Sequence, residues 1–208
     1  MAGSAGFWNV MAARYARQPV ADEESYRRKL DETRALLTPD MTVLEVGCGT
    51  GTTAIHHAPH VAHIDALDIS HRMLAIAREK AASAGIENIA FIEADVERMA
   101  EAGPRYDLAM AHSILHLVDD KAALLAALHR ALKPGGRLVA STACLGGTMP
   151  WLRLLLPVGA FLGLLPRVAF FTVEELETAM EAAGFRVERR WLPGPRKGVF
   201  HIAVKPAG

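Results

Sequence analysis

The chain has 208 residues, of which 51% are hydrophobic, and its 23 basic and 23 acidic side chains give a formal net charge of zero. That length suits one substantial domain, and the composition fills a core and excludes a disordered chain. Balanced charge argues against a nucleic-acid binder, which carries a basic excess or stripe.

Residues 1–40 are expected to form an N-terminal helical cap, with Phe7, Trp8 and Tyr15 ahead of an amphipathic helix over 22–37 that "TPD" closes. "MTVLEVG" (41–47) reads as a buried strand, and a short helix over 52–57 stops near Pro59. "VAHIDALDI" (61–69) is a second strand, 71–85 a helix closed by Gly85, and "IAFIEAD" (89–95) a third strand with a short helical segment after it. "YDLAMAH" (106–112) is a fourth strand. An aspartate-capped helix over 119–136 ends at Pro134 and Gly135, and "RLVASTA" (137–143) is the fifth strand. After an apolar insertion, 172–185 reads as a helix with Thr172 as N-cap and Glu175 three residues on, a capping box. Strands at 186–192 and 199–205 close the chain as a hairpin.

Strands alternating with helices predict an α/β fold with right-handed crossovers. The expectation is one domain over 1–208, with a doubly wound, mostly parallel, seven-stranded Rossmann-like sheet and one antiparallel strand at the C-terminus. Such sheets bind ligands beyond the carboxyl ends of their strands. "VLEVGCGTG" (43–51) lies there, with Gly47, Gly49 and Gly51 spaced G-x-G-x-G rather than the G-x-G-x-x-G of a dinucleotide site.

The run "VLEVGCGTG", the acid of "LDIS", the "EAD" of 93–95, "YDLAMAHSILHL" and "LKPGGRLV" follow one another in order. Together they make the chain resemble the class I S-adenosylmethionine-dependent methyltransferases, in the small-molecule branch often called type 11. The resemblance implies S-adenosylmethionine as cofactor. Gly47, Gly49 and Gly51, with Cys48 between them, would let the backbone lie against its methionine part, and Glu45 would order that turn. Asp68 would take both ribose hydroxyls, Ile69 and Met73 would line the adenine, and Asp95 would meet its amino group with Val96 alongside. Ala111 and His112 would face the sulfonium, and Tyr15 would approach the carboxylate end.

Methyl transfer from a sulfonium is an in-line displacement in which positioning and water exclusion supply most of the acceleration. A hydroxyl or thiol acceptor must still lose a proton, and His112 and His116 are the candidate bases. Four residues apart on an expected short helical turn, they would share one face. His116 stands in "LHL", where members of the resembled family carry a histidine near the acceptor pocket. Tyr106 and Asp107 match the family's strand entry and read as structural. His56 and His60 have i,i+4 spacing, but Pro59 lies between them and no cysteine or helix-borne acid joins His56, His57, His60 and His63, so no metal is expected.

Cys48 and Cys144 make no disulfide framework, and 1–18 lacks the basic start and apolar block of a secretory signal, so a cytoplasmic location is expected. The insertion at 145–171 lies where the resembled family builds its substrate cover. Its part 150–171 places 13 uncharged residues between Arg153 and Arg167, interrupted by Pro157 and Pro166. That falls short of the roughly 20 apolar residues of a spanning helix. An apolar cover implies a small, hydrophobic acceptor methylated at O, S or N. The same stretch also suits a dimer face or a membrane-surface contact, so monomer and homodimer both stay open. No nucleic-acid partner is expected, since "AHSI" stands where enzymes acting on base amino groups carry an Asn/Asp-Pro-Pro-Tyr segment. Two rival readings are a cofactor-binding module without catalysis and a nicotinamide-dependent oxidoreductase.

Overall fold

The apolar runs of "VLEV", "IDAL" and "LAMA" are buried on both faces, as a central parallel sheet requires. A computed structural model describes residues 2–95, 103–146, 168–194 and 198–208. Helices α1 (Ala2–Ala16) and α2 (Glu23–Arg34) precede β1 (Thr42–Val46), α3 (Thr52–His57) and β2 (His63–Asp68). Helix α4 (His71–Ser83), β3 (Ile89–Glu93), β4 (Tyr106–His112), α5 (Lys121–Ala131) and β5 (Leu132–Thr142) follow. Helix α6 (Val173–Ala182), β6 (Arg186–Trp191) and β7 (Val199–Val204) close the chain.

The seven strands order as β3-β2-β1-β4-β5-β7-β6, parallel except for β7, which runs antiparallel to both neighbours. One face packs Val43, Leu108, Met110 and Phe200 against residues of α3 and α4. The other packs Leu44, Ala109, Ala111 and Ala140 against Leu124, Leu128, Leu176 and Met180 of α5 and α6. Helices on both faces of a parallel sheet make the doubly wound α/β fold that the alternation predicts. Order reverses between β1 and β4, so the carboxyl ends of those strands open a crevice.

Local chemistry explains the boundaries. Asp22, Ser70 and Asp120 cap α2, α4 and α5 by accepting the backbone N–H of Ser25, Met73 and Ala123. The expected capping box is present: Thr172 Oγ1 accepts the Glu175 N–H at 3.2 Å, and Glu175 accepts the Thr172 N–H at 2.9 Å. The helix expected over 119–136 ends earlier, at Ala131. Leu132 is already paired with Tyr106 in β5, and Pro134 has no N–H with which to continue a helix. Gly135 donates to the Lys205 carbonyl and the Lys205 N–H to that of Gly136, so 132–136 is the irregular start of a strand. The third strand stops at Glu93 rather than 95, and the helical segment expected after it lies outside the described residues. Asp107 accepts the Thr42 N–H and the Lys133 ammonium, and Tyr106 donates to Asp65 at 2.7 Å, so both are structural as expected.

Thr172→Ala removes one half of the α6 capping box and should lower stability by about 1 kcal/mol. A urea midpoint equal to wild type would mean that the buried face of α6 holds the helix without its cap.

Candidate active site

The cavity system lies at the carboxyl ends of β1, β2, β4 and β5, where the chain's irregular backbone concentrates. Gly47, Gly49 and Gly51 all take positive φ, and Ser113 is the one non-glycine to do so among the described residues (φ 55°). A cavity of about 740 Å³ is lined by Trp8, Asp68, Met73, Asp95, His112 and His116, among others. A second one of about 380 Å³, with Tyr26, Lys29, Glu45, Lys80 and Ser141 in its wall, shares Tyr15, Gly47, Gly49, His112 and Ser113 with the first. The two spaces meet over the glycine turn.

Asp68 organises that turn. Its Oδ2 accepts the Gly49 N–H at 2.9 Å and its Oδ1 the Ser70 N–H at 2.8 Å. Burial raises its carboxyl above the usual range, while the N–H donors of Ser70, Gly49 and Ile69 pull it back. Each oxygen keeps acceptor capacity beyond its backbone bond. A Cβ on Gly49 would meet only Tyr15, at 3.9 Å, so the turn presents open backbone to the cavity. These features fit a nucleoside with vicinal hydroxyls and a tail drawn close to the turn.

Of the expected cofactor residues, Tyr15, Glu45, Gly47, Cys48, Gly49, Asp68, Ile69, Met73, Asp95 and His112 line one cavity or both. Two do not. Gly51 packs under α4, where a Cβ would stand 2.8 Å from Ala77 and 3.0 Å from Phe91, so it serves packing rather than ligand approach. Ala111 is wholly buried in the core on the α5 and α6 face. Val96 lies outside the described residues. Burial pushes the Cys48 thiol far up and leaves it unreactive. The buried Glu45 carboxyl is pushed up to about 8 by desolvation, is drawn down by the Ala54 backbone N–H, and has an Oε2 without a partner among the described residues. Gly51 gives α3 no side-chain cap.

The two histidines are not arranged as expected. His112 ends β4, and His116 sits in a tight turn where the Leu117 N–H donates to the Ile114 carbonyl, so no helical turn carries both. His112 Nδ1 lies 3.2 Å from Ser141 Oγ, and His116 Nδ1 lies 2.9 Å from Thr142 Oγ1. Ser141 and Thr142 are consecutive in β5 and point to opposite faces of the sheet. The imidazoles are therefore anchored on opposite faces, although both line the larger cavity. Burial, helped by the Lys29 charge, holds His112 down at about 4, and burial also lowers His116, so both rings are neutral at physiological pH. His57 is buried with no hydrogen-bond partner for either ring nitrogen among the described residues and is held down at about 3, mainly by burial. Among the described residues no group of three or more His, Cys, Asp or Glu could hold a metal ion.

Past His116 the larger cavity is lined mainly by Leu117, Val118, Leu124, Leu145 and Val168, with Asp119 and Asp120 also in its wall. Most of the apolar insertion lies outside the described residues, but its ends are fixed. Gly146 donates to the Phe171 carbonyl and Ala169 to the His116 carbonyl. Trp8 was marked only as one of the N-terminal aromatics, and Asn9 and Ser113 carried no sequence signal of their own. Asn9 accepts the Ser70 hydroxyl at 2.7 Å and so ties α1 to the N-terminus of α4.

Residues 43–136 match a family model described as a methyltransferase domain. The chain carries a class I S-adenosylmethionine-dependent methyltransferase domain. The ubiquinone biosynthesis O-methyltransferase of Serratia proteamaculans is 36% identical over 129 residues, 62% of this chain and 53% of that protein. The malonyl-[acyl-carrier protein] O-methyltransferase of Halalkalibacterium halodurans is 34% identical over 125 residues, 58% of this chain and 43% of that protein. This chain thus spans about half the length of the curated relatives it matches. The solved magnesium protoporphyrin IX methyltransferase of Synechocystis PCC 6803, with bound SAH, shares the methyltransferase domain's fold at a TM-score of 0.72 and 22% identity, over 97% of each chain. No helix among the described residues is long and apolar enough to cross a membrane.

The raised Glu45 value carries a sign. The unfolded carboxyl titrates near 4.5 and the folded one near 8, so the folded state binds more protons between them. Glu45's contribution is fully present below 4.5 and is lost as pH rises through about 8. Thermal melts of the ligand-free protein across that window should show the loss, and Glu45→Gln should flatten it. An undiminished slope in the variant would assign the loss to another group.

Proposed function

We propose that this domain transfers a methyl group from S-adenosylmethionine to a small hydrophobic acceptor, with oxygen the receiving atom, by in-line displacement. The observation that carries the reading is the change of character along the 740 Å³ cavity. One end offers Asp68, Asp95 and glycine backbone, the middle two imidazoles, and the far end a mainly aliphatic wall that Asp119 and Asp120 join. That volume lies in the range of ligand sites, about 300–1,000 Å³. The relatives named as O-methyltransferases favour oxygen over sulfur and nitrogen.

In this reading Asp68 accepts both ribose hydroxyls with a carboxylate already oriented by Gly49 and Ser70. Ile69 and Met73 flank the adenine, and Asp95, with Val96, takes its amino group. Gly47 and Gly49 admit the amino-acid tail, with Tyr15 at its carboxylate end and Glu45 supporting the turn. When bound, S-adenosylmethionine supplies a methyl group already activated by the positive charge of its sulfur. The protein has then to align an acceptor and exclude water. Trp8 and Tyr15 of α1 close one side of the cavity, and the aliphatic wall closes the other. His116 Nε2 has no hydrogen-bond partner among the described residues and is the ring atom left for the acceptor's oxygen. The protein works in the cytoplasm on a small molecule rather than on nucleic acid.

Asp68→Ala should weaken S-adenosylmethionine binding by about 1.5–3 kcal/mol, the usual worth of hydrogen bonds to a charged group. Calorimetry giving wild-type affinity would remove the ribose role, and binding of NAD in its place would bring back the oxidoreductase reading. His116→Ala should cut turnover and leave cofactor affinity nearly intact. Wild-type turnover in that variant would make the histidine scaffolding.

A further inference from the structure

The hydroxyl of Thr142 decides what His116 can do. Thr142 is 2% exposed, and its Oγ1 meets one partner among the described residues, His116 Nδ1. A hydroxyl has one proton to donate, and a buried donor without an acceptor is costly. A neutral imidazole has one N–H and one bare nitrogen. If Nδ1 carried the ring proton and gave it to Thr142, the hydroxyl proton would be left buried with no acceptor. The reverse arrangement satisfies both groups. Thr142 donates to Nδ1, and the ring proton sits on Nε2, facing the cavity. His112 Nδ1 faces the Ser141 hydroxyl at the wall of the smaller cavity.

An imidazole protonated on Nε2 is a donor there and cannot accept a proton. The other titratable groups lining this cavity do not replace it as a base. Asp68 and Asp95 serve the nucleoside end in the reading above. Asp120 caps α5, and Asp119 is exposed at the rim. The 380 Å³ space beside His112 adds the ammonium of Lys29.

We propose that the acceptor oxygen arrives already ionised and is held by the Nε2–H of His116, so that the substrates are lipophilic acids, either carboxylic acids or acidic phenols. This rests on the methyl-transfer reading and narrows it. The anionic oxygen's electron pair forms the new O–C bond, the C–S bond breaks with its pair kept by sulfur, and no proton is left to remove. Thr142 is a positioning residue: it sets the tautomer and touches neither partner.

Heteronuclear NMR of the full chain with labelled imidazole rings and saturating S-adenosylhomocysteine reads the tautomer directly. The expected result is a proton on Nε2 of His116, kept in Thr142→Ser and no longer fixed in Thr142→Val. A proton on Nδ1 in the wild type overturns the proposal. Calorimetry on the same loaded protein compares decanoate with decanamide, and para-nitrophenol with phenol. The ionised member of at least one pair should bind about tenfold tighter or more, as hydrogen bonds to charged groups allow. A preference within the first pair points to carboxylic acids, and one within the second to acidic phenols. His116→Gln, which keeps an N–H donor but cannot act as a base, should retain the preference, and His116→Ala should lose it. Equal affinity within both pairs, or binding of neither ionised probe, overturns the anionic acceptor. Failure to bind S-adenosylhomocysteine overturns the methyl-transfer reading instead.

Discussion

The Asp68 carboxylate is the joint on which the site is built. It ends β2, yet its oxygens are spent on the N–H groups of Gly49, in the turn after β1, and Ser70, at the start of α4. Burying a carboxylate is expensive unless its charge is met by donors, and here the backbone N–H dipoles of Gly49, Ser70 and Ile69 meet it. The result is a turn whose shape is set before any ligand arrives, with acceptor lone pairs facing the cavity. Ser70 extends the connection in two directions, capping α4 through Met73 and bonding Asn9 of α1. A helix with few buried residues is thereby fastened beside the acid, which brings Trp8 and Tyr15 to the cavity wall.

The other half of the site depends on strand parity. Ser141 and Thr142 end β5 beside the end of β4, and adjacent residues of a strand face opposite ways. Each hydroxyl meets one histidine, so His112 belongs with the polar space near Lys29 and Glu45, and His116 with the aliphatic wall. A sheet edge therefore keeps a polar compartment and an apolar one apart while letting them meet over the glycine turn. That separation suits a reaction in which one partner is a charged amino-acid nucleoside and the other is greasy.

Much of this was legible along the chain because it is local. Hydrophobic runs marked the strands, Thr172 and Glu175 marked a helix start, and the glycine turn with Asp68 marked the crevice at the carboxyl ends of the strands. What escaped was set by register between distant segments. Gly51 looks like a third contact for a ligand, but only the position of Ala77 and Phe91 shows that it is needed for packing. Ala111 stands next to the last residue of β4, but the alternation of that strand turns it into the core. The histidine spacing suggested a shared helical face, whereas the backbone breaks between them. The overlong helix at 119–136 failed for a related reason: Leu132 is claimed by a ladder partner, Tyr106, that lies 26 residues earlier.

That break between the histidines has a cost, and the glycine turn shares it. Ser113 takes φ 55°, which β-carbon sterics disfavour, and its N–H is committed to the Ser141 carbonyl. The left-handed residue turns the chain sharply out of β4, as placing His112 and His116 on different faces demands. The next residue, Ile114, is thrown over β1, where a Cβ on Gly47 would lie 2.9 Å from its Cδ1. Gly47 is therefore required by a neighbour across the sheet as well as by its own φ of 68°. The first glycine of the turn and the strained serine after β4 are two ends of one constraint. A larger residue at 47 would displace Ile114, and with it the turn that carries His116 to the wall of the larger cavity.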